Sequence, residues 1–251
     1  MRGWWQDLSD LVLPAQCAGC GRSRTPLCAR CVHAVRGAGA GRVRPRPTPP
    51  GLPVVHAAAP YEGPVRAVLL AHKERGALGL ARPLGEALAG AVRAGLPAGD
   101  TGSVALVPVP SAPRAVRARG HDPTRRLAYA AAAGLRREGV AVRVLAVLRQ
   151  RRAVADQSGL GARQRRANVS GALTVTAGAG GLLTEVGRIV LVDDLMTTGA
   201  SLAEAARAIH AVTGSAAAPG EGATDPGMAG PITVGAAVVS ASPDSFEINR
   251  N

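Results

Sequence analysis

Two adjacent carboxylates and a loop rich in hydroxyl groups follow one another within the segment Ile189–Ser201. The run Arg188–Val192 is almost wholly aliphatic, which is typical of a parallel strand buried on both faces. Asp193 and Asp194 follow it directly, and the loop from Thr197 then leads into a predicted helix. Because ligands of open α/β sheets bind at the carboxyl ends of the strands, this order of elements predicts a binding site.

The residue types in this segment suit a ligand with an anion at one end and hydroxyl donors at the other. Gly199 permits a tight turn in which backbone N–H groups approach an anion, and the start of the helix adds partial positive charge. Asp193 and Asp194 accept hydrogen bonds from vicinal hydroxyls, such as those of a ribose 5-phosphate. Ser201 and Glu204 fit a capping box that would start the helix. The alternative, two solvated aspartates before an ordinary N-cap, leaves the Thr-Thr-Gly loop without a role.

A pyrophosphate on C1 of the ribose would provide a place for Mg²⁺, which can bridge hydroxyls and phosphates. The sequence therefore predicts binding of 5-phosphoribosyl-1-pyrophosphate together with Mg²⁺. The predicted binding residues of this loop are Asp193, Asp194, Leu195, Met196, Thr197, Thr198, Gly199, Ala200 and Ser201.

All four cysteines lie in two Cys-x-x-Cys pairs near the start of the chain, Cys17/Cys20 and Cys28/Cys31, separated by seven residues. Each turn directs two thiolates at one point, and two such turns complete the tetrahedral sulfur shell that Zn²⁺ prefers. Disulfides and unrelated buried thiols are the alternatives. Since protein would fill all four positions, we expect a structural zinc without a catalytic water.

The composition indicates a globular chain with an anionic partner. Hydrophobic residues make up 47% of the 251 residues, and the formal net charge is +13. Aromatic residues make up only 2%, too few for the stacking platforms of single-strand binders. Lys73 is the only lysine, which suggests that a compact ammonium is wanted there, although an exposed helix-end charge is an equal alternative. We see no signal peptide and no bilayer-spanning stretch, and we expect a soluble cytoplasmic protein.

Helical and strand patterns alternate after residue 53, which predicts an α/β fold with a mainly parallel sheet flanked by helices. The predicted helices are Pro64–Leu70, Leu78–Ala94, Arg125–Glu138 and Ser201–Val212, and the predicted strands are Val104–Val109, Val140–Leu148, Arg188–Val192 and Ile232–Val239. The polar stretch Arg149–Asn168 is predicted to be a mobile loop. We divide the chain into a four-cysteine zinc module (1–36), a Gly/Pro-rich linker (37–53) and a main domain (54–251) with a disordered insertion at about 214–231.

The segment ending at Ser201 resembles the ribose-phosphate signature of type I phosphoribosyltransferases. The chain as a whole resembles one branch of them, the ComF family of competence-associated proteins. The matching features are the lead Leu8–Pro14 before the cysteines, Tyr61-Glu-Gly-Pro-Val-Arg66 with Lys73, Val107-Pro-Val-Pro110, Arg119-Gly120, and Gln157…Arg163…Arg166-Ala-Asn168. His121-Asp122-Pro123-Thr124 departs from the aromatic-Asn-Gln usual in the family, so an acceptor-contacting role at that place is not implied. For His121 itself, the residues alone leave open a proton carrier or, more often, a solvated loop histidine.

The resemblance implies transfer of a phosphoribosyl group with loss of pyrophosphate. Pro108, Val109 and Pro110 would then face the diphosphate. Asp193 and Asp194 would hold the ribose, and Lys73, Arg163 and Arg166 would join them as catalytic residues, the two arginines neutralising the pyrophosphate. The family also implies a setting in DNA uptake. The alternative is a non-catalytic accessory protein for single-stranded DNA or an uptake helicase, with a regulatory or vestigial ligand site. The acceptor and the oligomeric state, a dimer included, stay open.

Overall fold

A computed structural model describes residues 16–99, 102–152, 161–214 and 232–249 of the chain. Four of the expectations fall outside the described residues. These are the lead Leu8–Pro14, Gln157, the side chain of Arg166, and the insertion 214–231 apart from Gly214.

A six-stranded sheet organises the fold. Its strands are β1 (Gly41–Val43), β2 (Val55–Pro60), β3 (Val104–Pro108), β4 (Val142–Val144), β7 (Arg188–Met196) and β8 (Thr233–Ala241). Their order across the sheet is β1-β2-β8-β7-β3-β4. Only β1 runs antiparallel, at the edge beside β2, and all other neighbours are parallel. A separate antiparallel pair consists of β5 (Leu148–Gln150) and β6 (Leu173–Val175). The α/β class and the mainly parallel sheet are therefore confirmed.

Helices cover both faces of this sheet. They are α1 (Ala29–Arg36), α2 (Gly63–Glu74), α3 (Ala81–Ala94), α4 (Pro113–Arg119), α5 (Pro123–Arg137), α6 (Ala162–Val169), α7 (Gly180–Thr184) and α8 (Ala200–Thr213). Short 3₁₀ turns cover Leu78–Leu80 and Pro243–Asn249. In the described residues, no helix is both long enough and apolar enough to cross a bilayer.

Alternating residues of the strands supply two hydrophobic cores. On one face, Leu106 and Val192 pack with α1, α2, α3 and α5. On the other face, Ile189 and Leu191 pack with α7, α8 and the β5–β6 pair. The aliphatic run of β7 is buried on both sides because helices cover both faces, which is the reason a parallel strand lacks polar alternation.

Several predicted elements differ from the observed ones. The predicted strand Val140–Leu148 is two strands in different sheets, since β4 ends at Val144 and β5 begins at Leu148. The described part of the predicted loop Arg149–Asn168 contains the end of β5 and most of α6, so its expected lack of regular structure is wrong there. Both pieces gain hydrogen-bonded partners or packing that their polar composition does not reveal. The linker 37–53 supplies the edge strand β1.

Candidate functional site

The paired acids lie inside β7 and not on the loop that follows it. The sequence placed the end of this strand at Val192, but the strand continues to Met196, because Asp193 pairs with Val238 and Leu195 with Ser240 of β8. The two carboxyl groups nevertheless stay close to each other, and the charge of Lys73 acts on both of them. Asp194 is 4% exposed, whereas Asp193 is half-buried. Both acids therefore stand at the carboxyl end of a central strand.

Lys73 reaches Asp194 from the last turn of α2. Its Nζ lies 2.8 Å from Oδ2 and 3.2 Å from Oδ1 of Asp194, so one ammonium contacts both carboxylate oxygens. The lysine side chain is 32% exposed and the aspartate side chain 6%. The ion pair thus has a buried acid and a base that reaches solvent. The only lysine of the sequence is therefore a partly buried group paired with Asp194, and its functional role stays a prediction.

The three charges of this cluster shift one another's pKa values. Burial works against ionisation of Asp194, but the Lys73 ammonium outweighs it and holds the pKa of Asp194 below its usual range. Burial likewise opposes the charge on Lys73, yet the two carboxylates raise its pKa. Burial and the charge of Asp194 together raise the pKa of Asp193 well above the ordinary value. One lysine faces two acids, so the cluster carries a carboxyl group without a counter-charge at the carboxyl end of β7.

The start of α5 places a hydroxyl on the second acid. Asp122 caps this helix by accepting from the N–H of Arg125 at 3.1 Å, and Pro123 occupies the first turn. Thr124 is then positioned so that its Oγ1 donates to Oδ1 of Asp193 at 3.3 Å. The same oxygen accepts the N–H of Asp194 at 2.8 Å. Sequence reasoning missed Thr124, although the Asp-Pro-Thr helix start was the signal that placed it.

The Val-Pro-Val-Pro turn also lies at the carboxyl ends of the parallel strands. Pro108 ends β3 opposite Val192, and Val109 donates its N–H to the carbonyl of Val192 at 2.9 Å. Pro108 and Val109 are buried, whereas Pro110 is half-buried. The structure therefore places this turn beside Val192, the residue that precedes Asp193.

The loop after β7 presents a set of backbone donors. Among the described residues, no backbone hydrogen bond is donated by residues 197–202, and the next donor is Ala203, which bonds to the carbonyl of Gly199 at 2.9 Å. The first N–H groups of a helix have no intrahelical acceptors, and a left-handed glycine before them adds further free N–H groups. The predicted loop thus supplies amides suited to an anion.

The expected capping box at Ser201 is wrong. Helix α8 begins at Ala200 with Gly199 as its N-cap, and no side chain caps it. Glu204 instead accepts the N–H of Leu173 at 3.0 Å and pairs with Arg207 at 2.9 Å, tying α8 to β6. Glu204 is buried and therefore requires a charged partner, so it pairs with Arg207 and does not complete a capping box. The Ser201 hydroxyl is consequently not used as a cap.

Gly199 has a left-handed backbone in close contact with the segment before β2. Its φ is 74°, and a Cβ added there would lie 3.0 Å from both Leu52 methyl groups and 3.4 Å from Cγ of Pro45. We expect Gly199→Ala to lower the free energy of unfolding by about 1–2 kcal/mol, because an L residue is strained at this φ. Urea unfolding of this variant beside Gly187→Ala, whose added Cβ meets nothing within 4 Å, measures the difference. Equal losses in both variants would contradict the assignment.

The two predicted arginines are not brought to the acids by any described contact. Arg163 is exposed on α6, and its side chain forms no hydrogen bond or ion pair with a described residue. The backbone of Arg166 lies on the same helix. Their predicted role on the leaving group stays a prediction.

The four cysteines form one cluster, as expected. Their sulfur atoms all lie within 4.8 Å of one another, and the Sγ atoms of Cys20 and Cys28 are 3.6 Å apart. Tetrahedral zinc with bonds of about 2.3 Å requires sulfur separations of roughly 3.8 Å. The N–H of Cys28 donates to Sγ of Cys17 at 3.3 Å, which suits a thiolate. The cluster therefore fits a metal such as Zn²⁺, and none of these cysteines forms a disulfide.

The electrostatics of the cluster also favour a cation. Burial opposes ionisation of Cys17, but nearby backbone N–H groups, that of Cys28 first, lower its pKa to about 6. The pKa of Cys31 is raised, by burial first and then by the other sulfurs. Neighbouring thiolates repel one another, and a divalent cation removes that repulsion by binding all four. The protein sulfurs can thus complete the shell without a water ligand.

A comparison with models of known protein families gives no match, and a comparison with curated protein sequences gives none either. The functional assignment therefore depends on the geometry of the chain itself.

Proposed function

We propose that this chain is a ComF-like phosphoribosyltransferase-type protein that binds 5-phosphoribosyl-1-pyrophosphate with Mg²⁺ at the carboxyl edge of β7. One observation carries the proposal. Asp193 and Asp194, the latter paired with Lys73, end the strand that leads into residues 197–202, whose amides donate no backbone hydrogen bond among the described residues. Acceptors for hydroxyls and donors for a phosphate therefore stand side by side, as a ribose 5-phosphate requires.

The two ends of the ligand would meet different chemistry in this site. The 5-phosphate would accept from the loop amides and from the partial positive charge at the start of α8. The ribose hydroxyls would donate to Asp193 and Asp194. The raised pKa of Asp193 supports this assignment, because a hydroxyl pair and a cation would relieve a carboxyl that Lys73 leaves uncompensated. Pro108–Pro110 would border the diphosphate on the side of β3.

The donor set suits Mg²⁺ only together with the ligand. Lys73 already neutralises Asp194, and one further acid does not make a cage for a free ion. Mg²⁺ commonly binds through one or two carboxylates plus substrate phosphates. When bound, it would supply charge neutralisation on the pyrophosphate as the bond from C1 to the leaving oxygen breaks and a bond from C1 to the acceptor forms. No covalent protein nucleophile is needed.

Calorimetric titration with phosphoribosyl pyrophosphate and Mg²⁺ tests this proposal. We expect the wild type to bind and Asp193→Ala/Asp194→Ala to bind at least tenfold more weakly, equivalent to about 1.4 kcal/mol. The matched control is Glu138→Ala/Glu185→Ala, which removes two exposed acids that pair with Arg93 and Arg143 and do not lie at the carboxyl end of β7. The control should bind like the wild type.

Circular dichroism and zinc content would establish that the double variant is folded. Asp193→Asn offers a milder comparison, because its amide oxygen keeps the acceptor for Thr124. Unchanged affinity in both aspartate variants would refute the site.

A further inference from the structure

The segment between β3 and α5 is attached at both of its ends to the part of β7 that carries the acids. At its start, Val109 donates its N–H to the carbonyl of Val192. At its end, Thr124 of α5 donates its hydroxyl to Asp193. Helix α4 (Pro113–Arg119) lies between these two contacts, and none of its residues is buried. The helix therefore stands near the carboxyl end of β7 without contributing to either hydrophobic core.

The charged residues of α4 are all arginines. Arg114 and Arg117 are exposed, and their side chains form no hydrogen bond or ion pair with a described residue. Arg119, the last residue of the helix, is half-buried and has a fixed partner. Of the three arginines, Arg119 is therefore the one whose guanidinium has a defined position.

Arg119 reaches from α4 to the end of α2, where it pairs with Glu74. Its Nε donates to Oε2 of Glu74 at 2.9 Å and its Nη2 to Oε1 at 2.8 Å, so two parallel bonds orient the guanidinium. The side chain of Glu74 is 45% exposed and that of Arg119 is 20% exposed. An ion pair with so exposed an acid contributes little to stability. The contact also leaves the N–H groups of Nη1 for another anion.

A histidine pair, His72 and His121, holds the backbone of Arg119 against α2. Nδ1 of His121 lies 3.2 Å from the carbonyl of Arg119. The His121 ring is half-buried, and its centroid is 5.9 Å from that of His72, a residue of α2 that is 1% exposed. The histidine pair thus joins the end of α4 to the last turn of α2 and keeps Arg119 beside Glu74.

The charge of Arg119 acts on the ion pair of the proposed site. Glu74 follows Lys73 directly in α2, and Lys73 contacts Asp194. Burial first, and the charge of Arg119 in addition, oppose the charge on Lys73, although the two carboxylates raise its pKa. Two cations therefore stand within electrostatic range of each other, and an anion shared between them would relieve their repulsion.

We propose that Arg119 binds the diphosphate of phosphoribosyl pyrophosphate and that Glu74 competes with the diphosphate for this arginine. The inference rests on the proposed function, in which the diphosphate lies beside Pro108–Pro110, the turn that leads into α4. A guanidinium donates to phosphate oxygens in the same paired geometry as to a carboxylate, and a diphosphate carries more charge than Glu74. The ligand takes over the guanidinium, and the exposed Glu74 turns into solvent.

Titration calorimetry with phosphoribosyl pyrophosphate and Mg²⁺ tests both parts of the proposal. Arg119→Gln should bind about tenfold or more weakly than the wild type, because charge-assisted hydrogen bonds are lost. Glu74→Gln should bind roughly threefold more tightly, because the competing charge is removed. That gain should disappear in Glu74→Gln/Arg119→Gln, since Glu74 acts through Arg119. The matched control, Arg117→Gln, removes an exposed charge from the same helix and should bind as the wild type does.

Inorganic pyrophosphate with Mg²⁺ is the second probe, used in competition with phosphoribosyl pyrophosphate. It should displace the ligand from the wild type, and Arg119→Gln should weaken the affinity for pyrophosphate by a similar factor. Circular dichroism shows whether each variant is folded.

The outcomes separate this inference from the proposed function. A wild type that does not bind phosphoribosyl pyrophosphate would refute the proposed function itself. A wild type that binds it, together with an Arg119→Gln of equal affinity, would overturn only the role of Arg119. Weaker binding by Glu74→Gln would show that the ion pair positions α4 and does not compete with the ligand. Pyrophosphate that fails to displace the ligand, or that binds Arg119→Gln as well as the wild type, would also contradict the proposal.

Discussion

Replacing Lys73 with Met is expected to lower the free energy of unfolding at neutral pH by about 2–3 kcal/mol. The substitution preserves most of the apolar stem and removes the base that contacts Asp194, whose side chain is 6% exposed. Two neighbouring carboxyl groups would then share a desolvated position without a counter-charge. The cost is kept moderate by the solvent exposure of the lysine, whose place water can partly take.

Asp193→Asn is expected to change stability in the opposite direction, with a gain of about 1 kcal/mol. The amide keeps the acceptor for Thr124 and removes the charge that Asp194 repels. The same variant should bind phosphoribosyl pyrophosphate more weakly. In Lys73→Met/Asp193→Asn, the loss should be smaller than in Lys73→Met alone, because only one acid remains to be neutralised.

The pKa shifts fix the pH range of these effects. Asp194 has a lowered pKa, so its contribution to stability is present above the unfolded value and is lost as the pH falls through the folded value. Lys73 has a raised pKa, so its contribution is complete below the unfolded value and is lost as the pH rises through the folded value. The ion pair therefore stabilises the fold between about pH 4 and pH 10. Asp193, with a raised pKa, lowers stability as the pH rises above its unfolded value.

Urea unfolding of the wild type and the three variants, at pH 7.5 and again near pH 5, measures these differences. A metal ion bound by the cysteine cluster would respond to pH in all four proteins, so the comparison uses differences from the wild type. The gain in Asp193→Asn and the loss in Lys73→Met should both shrink at the lower pH. A destabilised Asp193→Asn, or a Lys73→Met as stable as the wild type, would contradict the charge balance described for this site.

Cys17→Ser is expected to remove about one equivalent of zinc and to destabilise the chain by several kcal/mol, because structural zinc sites contribute directly to folding. The effect should extend beyond the cluster. Val35 of α1 is fully buried in the core shared with α2 and α3, and a Cβ on Gly19 would lie 2.7 Å from Sγ of Cys31 and 3.3 Å from Pro64. The cysteine cluster therefore packs directly on the start of α2.

Metal analysis and thermal unfolding of Cys17→Ser measure this prediction. Ser23→Ala is the control in the same loop, since its side chain is exposed and does not belong to the sulfur cluster. The control should retain its zinc and its melting temperature. Unchanged metal content in Cys17→Ser would show that the four thiols do not form one site.

Local patterns predicted the elements of this site better than they predicted how those elements meet. The aliphatic run of β7, the glycine turn and the doubled Cys-x-x-Cys spacing each depend on neighbours in the sequence, and the structure has a strand, a left-handed turn and a sulfur cluster at these positions. The contact of Lys73 with Asp194 spans 121 residues and depends on how α2 packs on the sheet, which a local pattern does not contain. The capping box at Ser201 failed because Glu204 finds a partner on β6.

The histidine pair lay beyond sequence reasoning for a related reason. The sequence leaves His121 open as a proton carrier or a solvated loop residue, and His72 lies just beyond the predicted helix Pro64–Leu70. Their proximity arises from the packing of the α4–α5 junction against the last turn of α2. Burial of a polar atom is a property of the assembled fold, and composition alone does not reveal it.

The position of β8, late in the chain and beside β7 in the sheet, also has a consequence for biosynthesis. β7 pairs with β3 on one side and with β8 on the other, so the strand that carries both acids is complete only when segments from before and after it are in place. A ribosome-bound chain that ends before β8 would have the lysine, the aspartates and the loop, yet it would lack the strand that holds Asp193 in register. Affinity for the ligand should thus emerge late in synthesis, and it would report that the whole sheet has assembled.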